Sequence, residues 1–392
     1  MSKSTSSQSS RKASEDRADR LSIQSQSSQA MPTAQQHVEL IKLGVDTHAG
    51  QYTFARMVDH LGMQPTQSLS PVAFLEFLAR QKAMAQRVVM VYEAGPYGFS
   101  LYRQAVEVGV ECLVCAPERL SRGRKRVNDK IDARELLNRL DRQLAGNSAA
   151  LRLVHPPTIQ QEMSRRLARE RNTYRKERQR WMARGRSLLH TLGISRPGRW
   201  WELGRHGELI KLLTERYGPT VSDQAREELD HYLEFIHLAG KHLDQMTAQL
   251  RKAAQEKKTD RVKGVGLLSS ELLDREMGDW TRFSNRRQVA SYTGLCPGED
   301  SSGDSQRSLS IDKHGNPRVR AVLVELAWLL PRYQPDYKPL QRWKWVFEKA
   351  GKAPASMKKK AVVALARRLV IDLWRVKTGR ARPQDLGLGL AA

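Results

Sequence analysis

The chain has 392 residues, 40% of them hydrophobic and a further 26 glycine, the balance of a folded protein with length for two or three domains. No apolar run approaches the ~20 residues of a membrane span, no apolar signal core follows the N-terminal charges, and three cysteines cannot form a disulfide framework; membrane and secretory readings are excluded and the cytoplasm is expected. With 67 Lys and Arg against 42 Asp and Glu the net charge is +25, which points to polyanionic partners, because each phosphate neutralised by a basic side chain releases condensed counterions.

Residues 1 to 35 are rich in Ser, Gln and Arg with almost no large apolar side chain, and a disordered tail is expected. From Val38 the character changes. VELIKLGVD and QYTFARMVD are β-rich runs separated by a turn at Ala49 and Gly50. A helix is predicted from about Ser70 to Gln86, with Val72, Phe74, Leu75, Phe77 and Leu78 largely on one face. The strand RVVMVYEA, a helix through Leu101 to Val108, the strand ECLVC and a helix starting near Asp129 follow. Residues 36 to 148 therefore read as an α/β domain with a mixed sheet, in the element order of an RNase H-like fold.

Residues 149 to 258 read as helical. Between Arg165 and Arg186 lie ten basic residues against Glu170 and Glu177, which makes Arg165, Arg166 and Arg169 nucleic-acid-binding candidates together with Arg122, Arg124, Lys125 and Arg126 upstream. A second helix is predicted from about Ser222 to Lys258. Two long helices joined by a bend at Pro197 to Trp201 suggest an antiparallel coiled-coil arm. Residues 259 to 392 form a third, mainly helical domain. Lys263, Gly264 and Gly266 near a helix N-terminus suggest a tight turn able to hold a phosphate, and GEDSSGDSQRS reads as a polar loop.

Four carboxylates stand out. Asp46 and Glu93 each end an apolar strand, and Asp129 and Asp132 lie three apart on one face of a predicted helix. In an RNase H-like sheet the first and fourth strands are neighbours, so the four can meet. Clustered carboxylates repel unless a divalent cation neutralises them, and Mg²⁺ prefers such hard oxygen ligands. Two ions ~3.5–4 Å apart can activate the attacking oxygen and stabilise the leaving one in phosphodiester cleavage. His48, two residues beyond Asp46, shares its face of the strand. Cys112 and Cys115 have CxxC spacing without a second pair and read as core, as do most of Trp200, Trp201, Trp280 and Tyr292.

The segments GVDTH (44 to 48), YEAGPYG (92 to 98) and NDKIDA (128 to 133), followed by GVG, GDWTRF, ASYTGLCPGEDSSG and IDKHGN, resemble the DEDD transposases of insertion sequences, relatives of pilin-gene invertases and bridge-RNA-guided recombinases. The resemblance runs from about Leu43 to Trp328. It implies a RuvC-like catalytic domain joined through a coiled coil to a C-terminal transposase domain. It further implies a Mg²⁺-binding tetrad of Asp46, Glu93, Asp129 and Asp132 and a serine nucleophile, Ser302, which directly precedes Gly303. Donor and target DNA, a guide RNA and a homo-oligomer are the implied partners. IDKHGN departs from the Ser-Lys or Thr-Lys pair frequent in the family. A junction nuclease using water as nucleophile and a noncatalytic nucleic-acid-binding protein are the competing readings.

Overall fold

A computed structural model describes residues 38–117, 128–257, 261–302, 305–348 and 353–391, with only the backbone at 299–302 and 305–308. The chain divides into two compact units, one ending at Pro156 and the other beginning at Pro157.

The first unit carries a mixed five-stranded sheet. β1 (Val38–Thr47) and β2 (Tyr52–Val58) pair antiparallel, with Thr47 opposite Tyr52 across the expected turn. β3 (Gln67–Leu69) leads into α1 (Pro71–Met84), whose N-terminus is fixed by the Ser70 hydroxyl accepting from the Ala73 amide and by Pro71, which has no N–H to satisfy. β4 (Ala85–Glu93), α2 (Ser100–Glu107), β5 (Glu111–Cys115) and α3 (Asp129–Leu144) follow. The strand order is β3-β2-β1-β4-β5, with β1 parallel to β4, β4 parallel to β5, and β2 antiparallel to both its neighbours.

Side-chain alternation sorts the sheet into two faces. Ile41, Leu43, Val45, Val88, Met90 and Tyr92 pack with Phe74, Phe77 and Leu78 of α1 and Leu101 of α2. Val89 and Val91 turn the other way, onto Leu136 and Leu140 of α3. On β1 the residues of that second face are Lys42, Gly44 and Asp46. Gly44 lets α3 lie directly on the strand: a Cβ there would stand 2.3 Å from the Leu137 nitrogen and 2.4 Å from the Ala133 oxygen. The Lys42 ammonium, almost fully buried, meets Asp141 at 2.6 Å further along the helix. Cys112 and Cys115 are buried core residues.

In the second unit α4 (Ile159–Thr191) begins at a capping box in which Thr158 and Gln161 exchange hydrogen bonds. α5 (Leu203–Tyr217) and α6 (Pro219–Glu256) follow. Arg171 donates to Thr247, Tyr174 stacks on His242 and Trp181 stacks on Phe235, so position falls along α6 as it rises along α4 and the two run antiparallel. The connection is more than the bend the sequence suggests. It contains α5, whose Leu209, Ile210 and Leu213 join Leu189, Trp200 and Leu229 in a separate core at the end of the pair. Gly204 and Gly207 lower the helical signal of this segment, and burial overrides it.

The rest of this unit comprises α7 (Leu267–Met277), a 3₁₀ turn (Trp280–Arg282), α8 (Arg286–Thr293), the hairpin β6 (Pro297–Ser302) and β7 (Ser305–Ile311), α9 (Pro317–Tyr333), the short α10 (Lys338–Gln341) and α11 (Lys344–Phe347), α12 (Ala355–Lys377) and a second 3₁₀ turn (Gln384–Leu386). Met277, Trp280, Leu323, Leu326, Leu365, Leu369 and Trp374 centre the core. The hairpin corrects the expected polar loop. Its backbones pair from Pro297 opposite Ile311 to Ser302 opposite Ser305, so ladder hydrogen bonds hold a segment lacking the apolar alternation by which strands are recognised. Among the described residues no helix is long and apolar enough to cross a membrane.

Candidate functional site

At the C-terminal end of β1 the first unit gathers Asp46, His48 and Asp129, with candidate donor atoms all within 4.8 Å of one another. The His48 Nε2 lies 3.3 Å from Asp46 Oδ2 and 3.5 Å from Asp129 Oδ2. The local sequence explains each position. Asp46 projects on the α3 side of β1 because Val45 takes the opposite face. Asp129 opens α3 behind the cap supplied by Asn128, whose side chain accepts from the Lys130 amide. His48 follows the strand end, and its amide donates to the Gln51 carbonyl at 3.0 Å, closing the β1–β2 turn.

Asp132 and Glu93 lie outside that three-residue group. Asp132 stands one turn along α3 from Asp129, close enough for its charge to act on Asp46. Glu93 ends β4, one residue past the Val45–Tyr92 pair, so it is level with Asp46 and by alternation belongs to the same face. Burial is the largest influence on the Asp46 carboxyl and raises its pKa; the His48 imidazole opposes this, and the negative charges of Asp129 and Asp132 add to the rise. A divalent cation would offset that repulsion by neutralising the crowded carboxylates. The oxygen donors suit Mg²⁺ and the adjacent nitrogen is compatible with other divalent ions, so the residues present fit a metal.

The second unit's candidates fall in different environments. The Arg169 guanidinium is held by the nearly fully buried Glu276 through two hydrogen bonds of 2.9 and 3.0 Å, and Arg165 donates to the Arg275 carbonyl at 3.1 Å. Both therefore tie α4 to α7, while Arg166 is exposed. Lys263 is exposed, but its amide and carbonyl are taken by Gly389 and Gln334. Gly264, at φ +84°, packs so closely on Tyr333 that a Cβ would come within 2.6 Å of its side chain. Gly266 caps α7. Arg122, Arg124, Lys125 and Arg126 lie outside the described residues.

Ser302 is the last residue of β6. The base of its hairpin is built backbone to backbone: Gly294, at φ +64°, lies against Gly315, where a Cβ would meet the Gly294 nitrogen at 2.2 Å. The Asp312 amide donates to Cys296, and the Asn316 amide to Tyr292. Asn316 Nδ2 reaches Glu276 at 2.9 Å, so the carboxylate that holds Arg169 also holds this junction. Burial pushes the Glu276 carboxyl up, but the hydrogen bonds from Arg169 and Asn316 and the charges of Arg169 and Arg318 outweigh it and leave its pKa lowered. Glu276 is invisible to sequence reading, since its partners lie 107 and 40 residues away.

The comparisons with known proteins agree in kind. A model of the transposase IS116/IS110/IS902 family matches residues 257–341. The transposase-named protein y4rJ of Sinorhizobium fredii is 33% identical over 333 residues, covering 77% of this chain and 81% of that protein. A second from the same organism, y4qE, is 32% identical over 258 residues, 64% of this chain and 61% of that protein. The transposase for insertion sequence element IS1111A of Coxiella burnetii is 24% identical over 286 residues, 71% of this chain and 74% of its own length.

Proposed function

This chain belongs to the IS116/IS110/IS902 transposase family, and on that footing we propose that it recombines DNA through a metal-binding carboxylate tetrad and a serine nucleophile, with an RNA guide selecting the sites. It is an insertion-sequence transposase, an enzyme of phosphoryl transfer on DNA. The observation that carries the tetrad is the meeting of Asp46 and Asp129 from two rigid elements, with Glu93 level with Asp46 on the adjacent parallel strand. The strand order β3-β2-β1-β4-β5, with β2 alone reversed, supports reading residues 36 to 148 as an RNase H-like, RuvC-like catalytic domain. The antiparallel α4–α6 pair supports a coiled-coil arm over 149 to 258, leaving 259 to 392 as the C-terminal transposase domain. A cytoplasmic homo-oligomer acting on donor and target DNA completes the reading, since strand exchange needs at least two active sites on two duplexes.

Asp46, Glu93, Asp129 and Asp132 would hold Mg²⁺. Bound there, the cation supplies Lewis-acid stabilisation of charge at the scissile phosphate. The Ser302 hydroxyl would bond to the phosphorus as one deoxyribose oxygen leaves, its proton ending on that oxygen, and attack on the phosphorus by a hydroxyl of the exchanged strand would break the serine ester and return a proton to Ser302. What supports Ser302 is its place at the end of β6, in a hairpin whose base joins the TGLCP and KHGN segments. The net charge of +25 and the exposed Arg166 support nucleic-acid binding whose sequence selectivity comes from base pairing.

A two-plasmid recombination assay tests this with guide RNA supplied or withheld. Asp46→Asn, Glu93→Gln, Asp129→Asn and Asp132→Asn should each abolish recombination in folded protein. Digestion of trapped reactions should give a DNA-linked peptide containing Ser302. Full activity of Asp129→Asn would remove α3 from the site, an adduct on Ser301 or Ser305 would move the nucleophile, and cleavage without any adduct would favour water. Correct recombination by RNA-free protein would end the guide reading.

A further inference from the structure

We infer that His48 is a nitrogen ligand of the metal site, so that the site takes Mn²⁺ more tightly than its carboxylates alone would. The inference rests on the carboxylate reading above and adds to it an inner-shell donor outside the tetrad. Three observations carry it. One ring nitrogen, Nε2, approaches carboxylate oxygens from two different elements, at 3.3 Å to Asp46 and 3.5 Å to Asp129. The three candidate donor atoms lie within 4.8 Å of one another, a spacing that one ion with bonds of ~2.0–2.2 Å can bridge with little movement. The backbone beneath the imidazole is anchored, because the His48 amide is tied to Gln51 at the start of β2.

Ligand chemistry then decides which cation gains. Carboxylate oxygens suit Mg²⁺, Ca²⁺ and Mn²⁺, whereas imidazole suits Zn²⁺, Cu²⁺, Fe²⁺ and Ni²⁺; Mn²⁺ is the weakest binder of the first-row series, but of the oxygen-preferring ions it is the transition metal and so the one that gains from a nitrogen donor. A carboxylate-only site discriminates little between Mg²⁺ and Mn²⁺ beyond this general trend. One with an imidazole edge shifts toward Mn²⁺, and removing the imidazole reverses the shift. A plain surface histidine attracted by two carboxylates would change neither the choice of metal nor the metal's spectrum.

Electron paramagnetic resonance on the purified full-length protein with Mn²⁺ reads the ligand directly. Free Mn²⁺ gives the affinity, and electron spin-echo modulation from ¹⁴N reports a nitrogen bonded to the ion. The expected result is nitrogen modulation in the unaltered protein that disappears in both His48→Ala and His48→Gln. Mn²⁺ affinity should fall about tenfold in these variants, within the range seen when metal-site partners are removed, while Mg²⁺ affinity changes less than about twofold. His48 is half-exposed at a turn, and an unchanged circular dichroism spectrum establishes that each variant is folded. Mn²⁺ binding that is lost in Asp46→Asn but shows no nitrogen modulation would overturn the role of His48 and leave the carboxylate site standing. Nitrogen modulation persisting in both His48 variants would overturn it equally. Mn²⁺ binding indifferent to Asp46→Asn would overturn both readings.

Discussion

Gly44→Ala is a one-carbon change at the contact that sets α3 on β1. The added Cβ would stand 2.3 Å from the Leu137 nitrogen, 2.4 Å from the Ala133 oxygen and 2.8 Å from the Leu137 Cα, where ordinary contact begins at 3.4 Å. All three neighbours are helix backbone, so no rotamer change relieves the clash, and α3 must retreat from the strand by about 1 Å. Overpacking of this kind destabilises by roughly 1–3 kcal/mol. The functional effect, about 2.7 kcal/mol in barrier, is of similar size. Asp129 lies one turn before Ala133 on the same helix, and a misplacement of about 1 Å costs on the order of 10²-fold in rate. Recombination frequency and thermal midpoint should therefore both fall for Gly44→Ala. Gly50→Ala, in open space within the adjoining turn, should change neither. Recombination by Gly44→Ala within about twofold of the unaltered protein, at an unchanged midpoint, would refute the claim that this close approach positions Asp129.

Two neighbouring arginines should separate structure from binding. Arg169→Ala leaves the buried Glu276 carboxylate without its main partner and should destabilise by roughly 1–3 kcal/mol, below the cost of breaking a fully buried pair because the Arg169 side chain is 42% exposed and Asn316 still donates; Arg166→Glu, at an exposed position, should leave the melting temperature unchanged and weaken RNA binding, most at low salt. Glu276 also predicts an acid limb. Its folded-state pKa lies below the ordinary value of 4.5, so its stabilisation is complete above that value and is lost as pH falls through the lowered one. Chemical denaturation across this range should show a shallower decline for Glu276→Gln.

What could be read from residue order was whatever repeats at short range. The alternation of Ile41, Leu43 and Val45 marks β1, and the apolar face through Phe74, Phe77 and Leu78 marks α1; both are present because local pattern and burial agree. The β6–β7 hairpin was not legible, since PGEDSS and SQRSLSI offer turn residues and hydroxyls in place of an apolar alternation. Asp46 and Asp129 were legible because each sits at an element boundary where spacing predicts its face. The engagement of Arg169 by Glu276 was not: in sequence Arg169 is one cation among ten, and only the packing of α4 on α7 shows which guanidinium is taken. His48 is intermediate, its face set by the strand and its nearness to Asp129 set by how closely α3 approaches.

That closeness is a backbone property in both units, and it explains why residues without side chains matter so much here. On β1, the absence of a Cβ at Gly44 brings the start of α3 to the strand end where Asp46 and His48 stand. At the base of the β6–β7 hairpin, Gly294 and Gly315 let two chain segments cross in contact, with Lys313 beside them at φ +61°. A side chain at Gly44 or Gly315 would meet only backbone, and one at Gly294 would meet the Arg320 guanidinium at 2.5 Å together with the Gly315 and Lys313 backbone. A shift of an ångström costs catalysis on the order of 10²-fold, and overpacking of this size costs roughly 1–3 kcal/mol of stability. Substitutions at these glycines should therefore depress recombination and the melting temperature together. The ionic anchors nearby act through stability first: loss of the Lys42–Asp141 pair or of Glu276 should lower the melting temperature.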